Sequence, residues 1–201
     1  YGADILGGAG HYASQRKCGH AYFFPGKFSD RACAAYEKFG YDKVRQGMAR
    51  WYEREILNAR KCPKAQEYHN SIEDLFAAGM TPPNPKVFCE CINFYDCSKV
   101  SDGASAVVFA SEEGLDKLGV DKKDVAELVG FGQCVADISK DPEDQTKLTT
   151  SARAIKQAME MAGVTKDDIG MLEVHDCFTI GGLLSIEAAG FCGYGESFDY
   201  V

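Results

Sequence analysis

The chain has 201 residues, of which 45% are hydrophobic and 26% are charged, a composition typical of a folded domain with an apolar core. Its formal net charge of −8 repels a phosphate backbone, so general nucleic-acid binding is not expected. No apolar run approaches the ~20 residues that a membrane-spanning helix needs, so a membrane role is not expected either.

The nine cysteines predict a reducing environment. Their number is odd, and the residues after Tyr1 show no signal-peptide pattern, which favours free thiols in a cytoplasmic protein over a disulfide framework. Cys89, Cys91 and Cys97 lie close together in the sequence, but no second Cys-x-x-Cys or Cys/His pair completes a four-ligand set. We therefore interpret these cysteines as packed thiols and predict no metal site.

The first 30 residues are rich in glycine and aromatic residues, which predicts loops and turns. Residues 7–10 have the sequence Gly-Gly-Ala-Gly, which could cradle a phosphate group. No apolar strand precedes this run and no Gly-Lys-Ser/Thr follows it, so the signal is weak.

Residues 31–60 have the periodicity of two helices. The predicted core positions are Ala32, Ala35 and Tyr36 in the first helix and Val44, Met48, Trp51, Tyr52 and Ile56 in the second. Residues 71–78 predict a shorter helix before the proline-rich turn at residues 82–85.

Six cations cluster in and after the second helix: Arg45, Arg50, Arg54, Arg60, Lys61 and Lys64. Such a cluster can hold a small phosphorylated ligand. We favour a solvated helix face paired with Glu53 and Glu55.

The later half of the sequence alternates predicted strands and helices. The strands are expected at residues 86–92, 106–110, 126–133 and 171–174, and the helices at residues 111–118, 151–163 and 180–189. This alternation predicts a layered α/β architecture.

Residues 172–178, Leu-Glu-Val-His-Asp-Cys-Phe, carry the strongest chemical signal. Three groups capable of proton transfer or nucleophilic attack stand where a predicted strand meets a predicted helix. Ligands of open α/β sheets bind at such positions, and a helix amino terminus favours negative charge and a lowered thiol pKa.

Three interpretations of this segment stay open at the level of residues. His175 could donate a hydrogen bond to a reacting carbonyl oxygen, or it could activate Cys177 as a nucleophile. Alternatively, Asp176 caps the helix while His175 and Cys177 are satisfied core residues.

The order of several motifs resembles the sterol-carrier-protein type of thiolase. Its His-Asp-Cys-Phe motif matches residues 175–178, and the continuation matches residues 187–192 and 195–196. Upstream, residues 101–106 resemble the last strand of the amino-terminal half of a thiolase, and residues 162–169 resemble the helix-to-strand step before the catalytic loop.

The resemblance implies the thiolase fold, which has α-β-α-β-α layers and a mostly helical loop domain. Residues 1–110 would then end the amino-terminal half and contain the loop domain, and residues 111–201 would open the carboxyl-terminal half. His175 would line the oxyanion hole for a thioester or enolate oxygen, and Phe178 would help to shape the substrate pocket. Cys177 belongs to the motif without being the nucleophile.

The implied activity is an acyl transfer that cleaves or forms the carbon–carbon bond of a 3-oxoacyl-coenzyme A. Coenzyme A would be a substrate or product, with no covalently bound cofactor. By this resemblance the nucleophilic cysteine lies before Tyr1, and the Gly-His-Pro and Cys-x-Gly segments lie after Val201, so the chain alone is expected to be inactive.

Two alternatives accompany that activity. Some relatives cleave hydroxyacyl-coenzyme A by retro-aldol chemistry with a zinc-ribbon/OB-fold partner, and a non-catalytic thiolase-like subunit would hold a partner enzyme. The resemblance also implies a homodimer or higher oligomer and leaves a peroxisomal location open.

Overall fold

A computed structural model of the chain describes residues 22–137 and 140–201. The helices of this part are α1 (Phe23–Phe39), α2 (Tyr41–Ala59), α3 (Leu75–Gly79), α4 (Glu112–Leu118), α5 (Thr149–Ala162), α6 (Thr179–Ala188) and α7 (Ser197–Tyr200). Short 3₁₀ helices cover Phe94–Asp96, Lys122–Asp124 and Lys166–Asp168. Within the two described ranges, every helix is too short or too polar to cross a bilayer.

Helices α1 and α2 form a hairpin that carries much of the core. The chain turns at Gly40, whose φ of 89° lies in the region that glycine adopts without a Cβ penalty. The core positions predicted for α2 and those at Ala32 and Ala35 of α1 are confirmed as buried, whereas Tyr36 is half-buried.

The first helix begins at Phe23 rather than at Arg31, so the predicted loop is wrong for residues 23–30. The small residues Gly26 and Ser29 continue the buried face of Ala32 and let the helix extend, and Pro25 is tolerated because it stands in the first turn. The glycine-rich residues 7–10 lie outside the described residues.

Helix α6 passes through the middle of the fold and is buried along most of its length. It packs against α2, where Gly182 lies against the indole of Trp51. A Cβ atom at position 182 would stand 2.6 Å from the indole nitrogen of Trp51, so the two helices approach closely only because this residue is glycine. On the other side, Phe28 of α1 stacks on Phe178, with 4.2 Å between the ring centroids.

A buried ion pair joins α2 to the 3₁₀ helix at Phe94–Asp96. Two guanidinium nitrogens of Arg45 donate to the two carboxylate oxygens of Asp96 at 2.7 and 2.5 Å, and both side chains are 0% exposed. Asp96 also accepts hydrogen bonds from the hydroxyl of Thr179 and the backbone N–H of Asn93, each at 2.8 Å. The interpretation of Arg45 as part of a solvated basic face is therefore wrong, since Asp96 supplies a bidentate partner inside the core.

Cys33 of α1 and Cys91 form a disulfide in the structure. The prediction of free thiols is wrong for this pair, because the packing of α1 against the segment before Phe94–Asp96 brings the two sulfur atoms together. The cysteines at positions 62, 89, 97, 134, 177 and 192 are not bonded to another cysteine.

The four predicted strands are absent from the described residues. Residues 86–92 form a turn and bends, and residues 106–110, 126–133 and 171–174 have no regular hydrogen-bonded structure. Val108, for example, is 85% exposed. A β-branched run forms a strand only when a neighbouring chain pairs its N–H and C=O groups, and within residues 22–137 and 140–201 no such neighbour flanks these runs.

The helices predicted at residues 111–118, 151–163 and 180–189 are confirmed with small changes of boundary. The helix predicted at residues 71–78 is wrong for residues 71–74, since α3 covers only Leu75–Gly79. Ser111 caps α4 by accepting a hydrogen bond from Gly114, and α4 and α5 end at the left-handed residues Gly119 and Gly163. Glu187, near the end of α6, binds the chain that follows the helix. One of its carboxylate oxygens accepts hydrogen bonds from the backbone N–H of Gly195 and from the N–H and hydroxyl of Ser197. The division of the chain at residue 110 stays a prediction.

Breaking the buried ion pair should strongly destabilise the protein. Replacing Arg45 by Met leaves Asp96 buried without its charge partner, and we expect a loss of about 3–5 kcal/mol in the free energy of unfolding, measured by urea denaturation. The matched control is Arg50→Met, on the exposed side of the same helix, where the guanidinium stands 5.0 Å from the ring of Phe76. That change should cost less than about 1 kcal/mol. Equal losses for both variants would contradict this account of the core.

Candidate active-site cavity

Residues 171–178 run as an extended segment into the amino terminus of α6. Its end is fixed by an antiparallel bridge between Cys97 and Phe178 and by a hydrogen bond of 2.9 Å from the N–H of Ser98 to the carbonyl of Cys177. Asp176 lines a cavity, and His175 does not.

The predicted site residues have three different environments. His175 is exposed on the surface, Cys177 is half-buried, and Phe178 is buried in the core against Phe28. The expectation that Asp176 caps the helix is wrong, because the residue before the first turn is Phe178 and no side chain caps that end. His175 is not a core residue either.

The environment of Cys177 disfavours a thiolate. Burial raises the pKa of the Cys177 thiol, and the nearby charge of Asp176 raises it further. Burial and the charge of Asp96 likewise raise the pKa of Cys97 to about 12. The expected lowering of a thiol pKa by the helix amino terminus is absent at Cys177, because desolvation dominates.

A cavity of about 700 Å³ lies between α2, the segment after Asp96 and residues 172–176. Its apolar wall includes Trp51, Tyr52 and Leu172, and its polar groups include Glu55 and Asp176. The exposed side chains of Arg54 and Lys99 also line it. It therefore combines an apolar surface with acidic groups inside and cations near solvent.

Glu55 and Asp176 form a carboxyl pair in this cavity. Burial, together with the charge of Asp176 and a hydrogen bond to it, raises the pKa of Glu55 to about 9, and the Trp51 indole N–H opposes this only in part. One oxygen of Glu55 and the indole nitrogen of Trp51 are both buried and make no hydrogen bond of normal geometry. Glu55 therefore keeps its proton at neutral pH.

The helical periodicity of α2 also includes Glu55. Glu55 follows Met48 and Trp51 at helical spacing, so a carboxyl group stands within the apolar stripe of α2. It was interpreted instead as a surface partner for nearby cations, which is wrong because it points towards Asp176. In the described residues, no group of three or more His, Cys, Asp or Glu side chains is arranged to hold a metal ion.

Residues 134–201 match the family described as thiolase C-terminal domain-like. They include Asp176, which lines the cavity. This part of the chain belongs to the thiolase superfamily. An acetyl-CoA acetyltransferase of Methanocaldococcus jannaschii is 34% identical over 57% of the chain. Sterol carrier protein 2 of Homo sapiens is 29% identical over 64% of the chain.

The fold is also that of a solved thiolase-like structure. The structure described as the Ltp2-ChsH2(DUF35) aldolase matches 87% of this chain with a TM-score of 0.67 and 21% sequence identity. The chain spans 29% of the archaeal relative, 24% of the human relative and 44% of the aldolase chain. A thiolase-type fold is thus supported, whereas the predicted layered α/β architecture is not confirmed, since the described residues contain no strands.

Replacing Glu55 by Gln should stabilise the protein at alkaline pH. Because the folded-state pKa of Glu55 lies near 9 and its usual value is 4.5, the folded protein holds an extra proton between those pH values. The free energy of unfolding therefore falls as pH rises through that window. We expect Glu55→Gln to flatten this fall and to add on the order of 2 kcal/mol at pH 8, with little change at pH 5.

Urea denaturation at pH 5 and pH 8 measures this effect. Glu53→Gln, on the same helix but outside the cavity, is the matched control and should leave the pH dependence unchanged. An unaltered slope in Glu55→Gln would show that Glu55 is ionised in the folded protein.

Proposed function

We propose that the protein is a thiolase-type acyltransferase that cleaves or forms the carbon–carbon bond of a 3-oxoacyl-coenzyme A. The observation that carries the proposal is the His175–Phe178 motif at the start of α6, inside the part matched by the thiolase C-terminal domain family. The relatives named acetyl-CoA acetyltransferase support the class of reaction. Coenzyme A would be substrate or product rather than a bound cofactor.

In this proposal His175 donates a hydrogen bond to the oxygen on which negative charge develops. Its exposure leaves the imidazole accessible to a ligand, while the Cys97–Phe178 bridge and the Ser98–Cys177 hydrogen bond fix the backbone beside it. A positioned donor of this kind stabilises a transition state more than the ground state. The raised pKa of Cys177 supports a role other than nucleophile.

We further propose that the protein works with a second subunit. The support is the name of the structural neighbour, which describes a complex of Ltp2 with a DUF35 protein. The same neighbour is named an aldolase, but the relatives named acetyl-CoA acetyltransferase support acyl transfer, which remains our proposal.

Removing the imidazole of His175 should abolish most activity without unfolding the protein. In the full-length natural protein, we expect His175→Ala to lower kcat for cleavage of acetoacetyl-coenzyme A by coenzyme A by roughly 10²–10³-fold. The side chain is exposed, so the melting temperature should stay within a few degrees of the wild-type value.

His69→Ala is the matched control, since His69 is also exposed and contacts only the ring of Tyr68 among the aromatic residues described. It should retain wild-type kcat. A wild-type kcat in His175→Ala would remove the catalytic role of His175, and the absence of any coenzyme A-dependent cleavage by the wild-type protein would overturn the proposed function.

A further inference from the structure

The cavity beside α2 is lined by polar groups of Glu55, Asp176 and Trp51, and the proposed role of His175 does not involve them. Asp176 and His175 are neighbours in sequence, yet only Asp176 lines the cavity. The exposed imidazole of His175 is therefore not among the groups that line the cavity.

These polar groups offer hydrogen-bond donors and acceptors to a ligand oxygen. Glu55, which burial keeps protonated, presents an O–H donor, and the carboxyl oxygens of Glu55 and Asp176 present acceptors. Trp51, which is only 8% exposed and lines the same cavity, adds an indole N–H that makes no hydrogen bond of normal geometry within the described part of the chain. A buried donor without a partner costs free energy that a bound acceptor would recover.

The cations near Glu55 do not neutralise the carboxyl pair. The titratable groups that act on Glu55 or line the same cavity are Asp96, Asp176, Glu67, Glu173, Cys62, Cys97, Tyr52, Tyr95, Arg54 and Lys99. Arg54 and Lys99 are exposed, so both cations lie towards solvent. Their position suits the phosphate groups of a ligand whose other end enters the cavity.

We propose that this cavity binds the acyl part of the substrate and that Glu55, Asp176 and Trp51 recognise a hydroxyl or carbonyl oxygen on that acyl chain. The proposal rests on the proposed function, because coenzyme A supplies the phosphate groups that lie near Arg54 and Lys99. Burial and the charge of Asp176, which hold the pKa of Glu55 near 9, keep the donor available at neutral pH. The site selects oxygen-substituted acyl groups over plain alkyl chains.

Two uncleavable thioethers test this selectivity: S-(3-hydroxybutyl)-coenzyme A and S-butyl-coenzyme A, which differ by one hydroxyl group. Their Kd values are measured by calorimetry on the full-length natural protein at pH 7. We expect the hydroxylated ligand to bind roughly tenfold more tightly to the wild type. Glu55→Leu should abolish that preference, whereas Glu55→Gln, which keeps an uncharged donor and acceptor, should retain most of it.

Asp176→Asn provides a second variant, and Glu53→Gln is the control that should bind like the wild type. Equal preference in the wild type and Glu55→Leu would overturn the inference while leaving the proposed function intact. Failure of both thioethers to bind would overturn both.

A ligand-free measurement tests the protonation of Glu55 separately. The chain contains one tryptophan, Trp51, and its indole stands beside Glu55. The fluorescence difference between the wild-type protein and Trp51→Phe should change with a midpoint near pH 9, and Glu55→Gln should remove that transition. A titration curve unaffected by Glu55→Gln would overturn the protonation of Glu55 at neutral pH.

Discussion

The fold depends on the buried ion pair between Arg45 and Asp96. Both side chains are excluded from water, and the second set of hydrogen bonds, from Asn93 and Thr179, completes the coordination of the carboxylate. Removing charge from water is costly, so the pair is tolerated only because its geometry is bidentate and its remaining oxygen positions are satisfied. It thereby fixes α2, the 3₁₀ helix at Phe94–Asp96 and the start of α6 relative to one another.

The candidate site follows from that arrangement. The Cys97–Phe178 bridge lies next to Asp96 and holds residues 171–178 beside α2. Glu55, ten residues after Arg45 on the same helix, is thereby placed against Asp176. The carboxylate of Asp96 is paired with a cation, whereas Glu55 keeps its proton, because burial and the charge of Asp176 raise its pKa to about 9. The same helix therefore supplies a structural ion pair and a group suited to hydrogen-bond a ligand.

The sequence motif singles out His175, but only the structure shows where its side chain lies. The motif itself identifies the thiolase superfamily, and the described structure places the imidazole on an exposed surface rather than in the cavity. His175 and Asp176 are neighbours in sequence, but only Asp176 of the two lines the cavity. Recognition of an acyl group and stabilisation of charge at its thioester would then come from neighbouring residues of one segment.

The sequence by itself determined most of the helices, the core stripe of α2 and the resemblance to thiolases. Apolar spacing at Val44, Met48 and Ile56, the capping Ser111 and the stop at Gly163 act within a few residues, so local patterns predict them. The His-Asp-Cys-Phe motif identified the superfamily before any contact was known. Strand formation at residues 106–110 was wrongly predicted, since pairing depends on a neighbouring strand and not on the β-branched run alone. Only the tertiary structure decided three pairings: Arg45 with Asp96, Cys33 with Cys91, and Glu55 with Asp176. The partners are 51, 58 and 121 positions apart in the sequence (96 − 45, 91 − 33 and 176 − 55), and no local pattern joins residues at such distances.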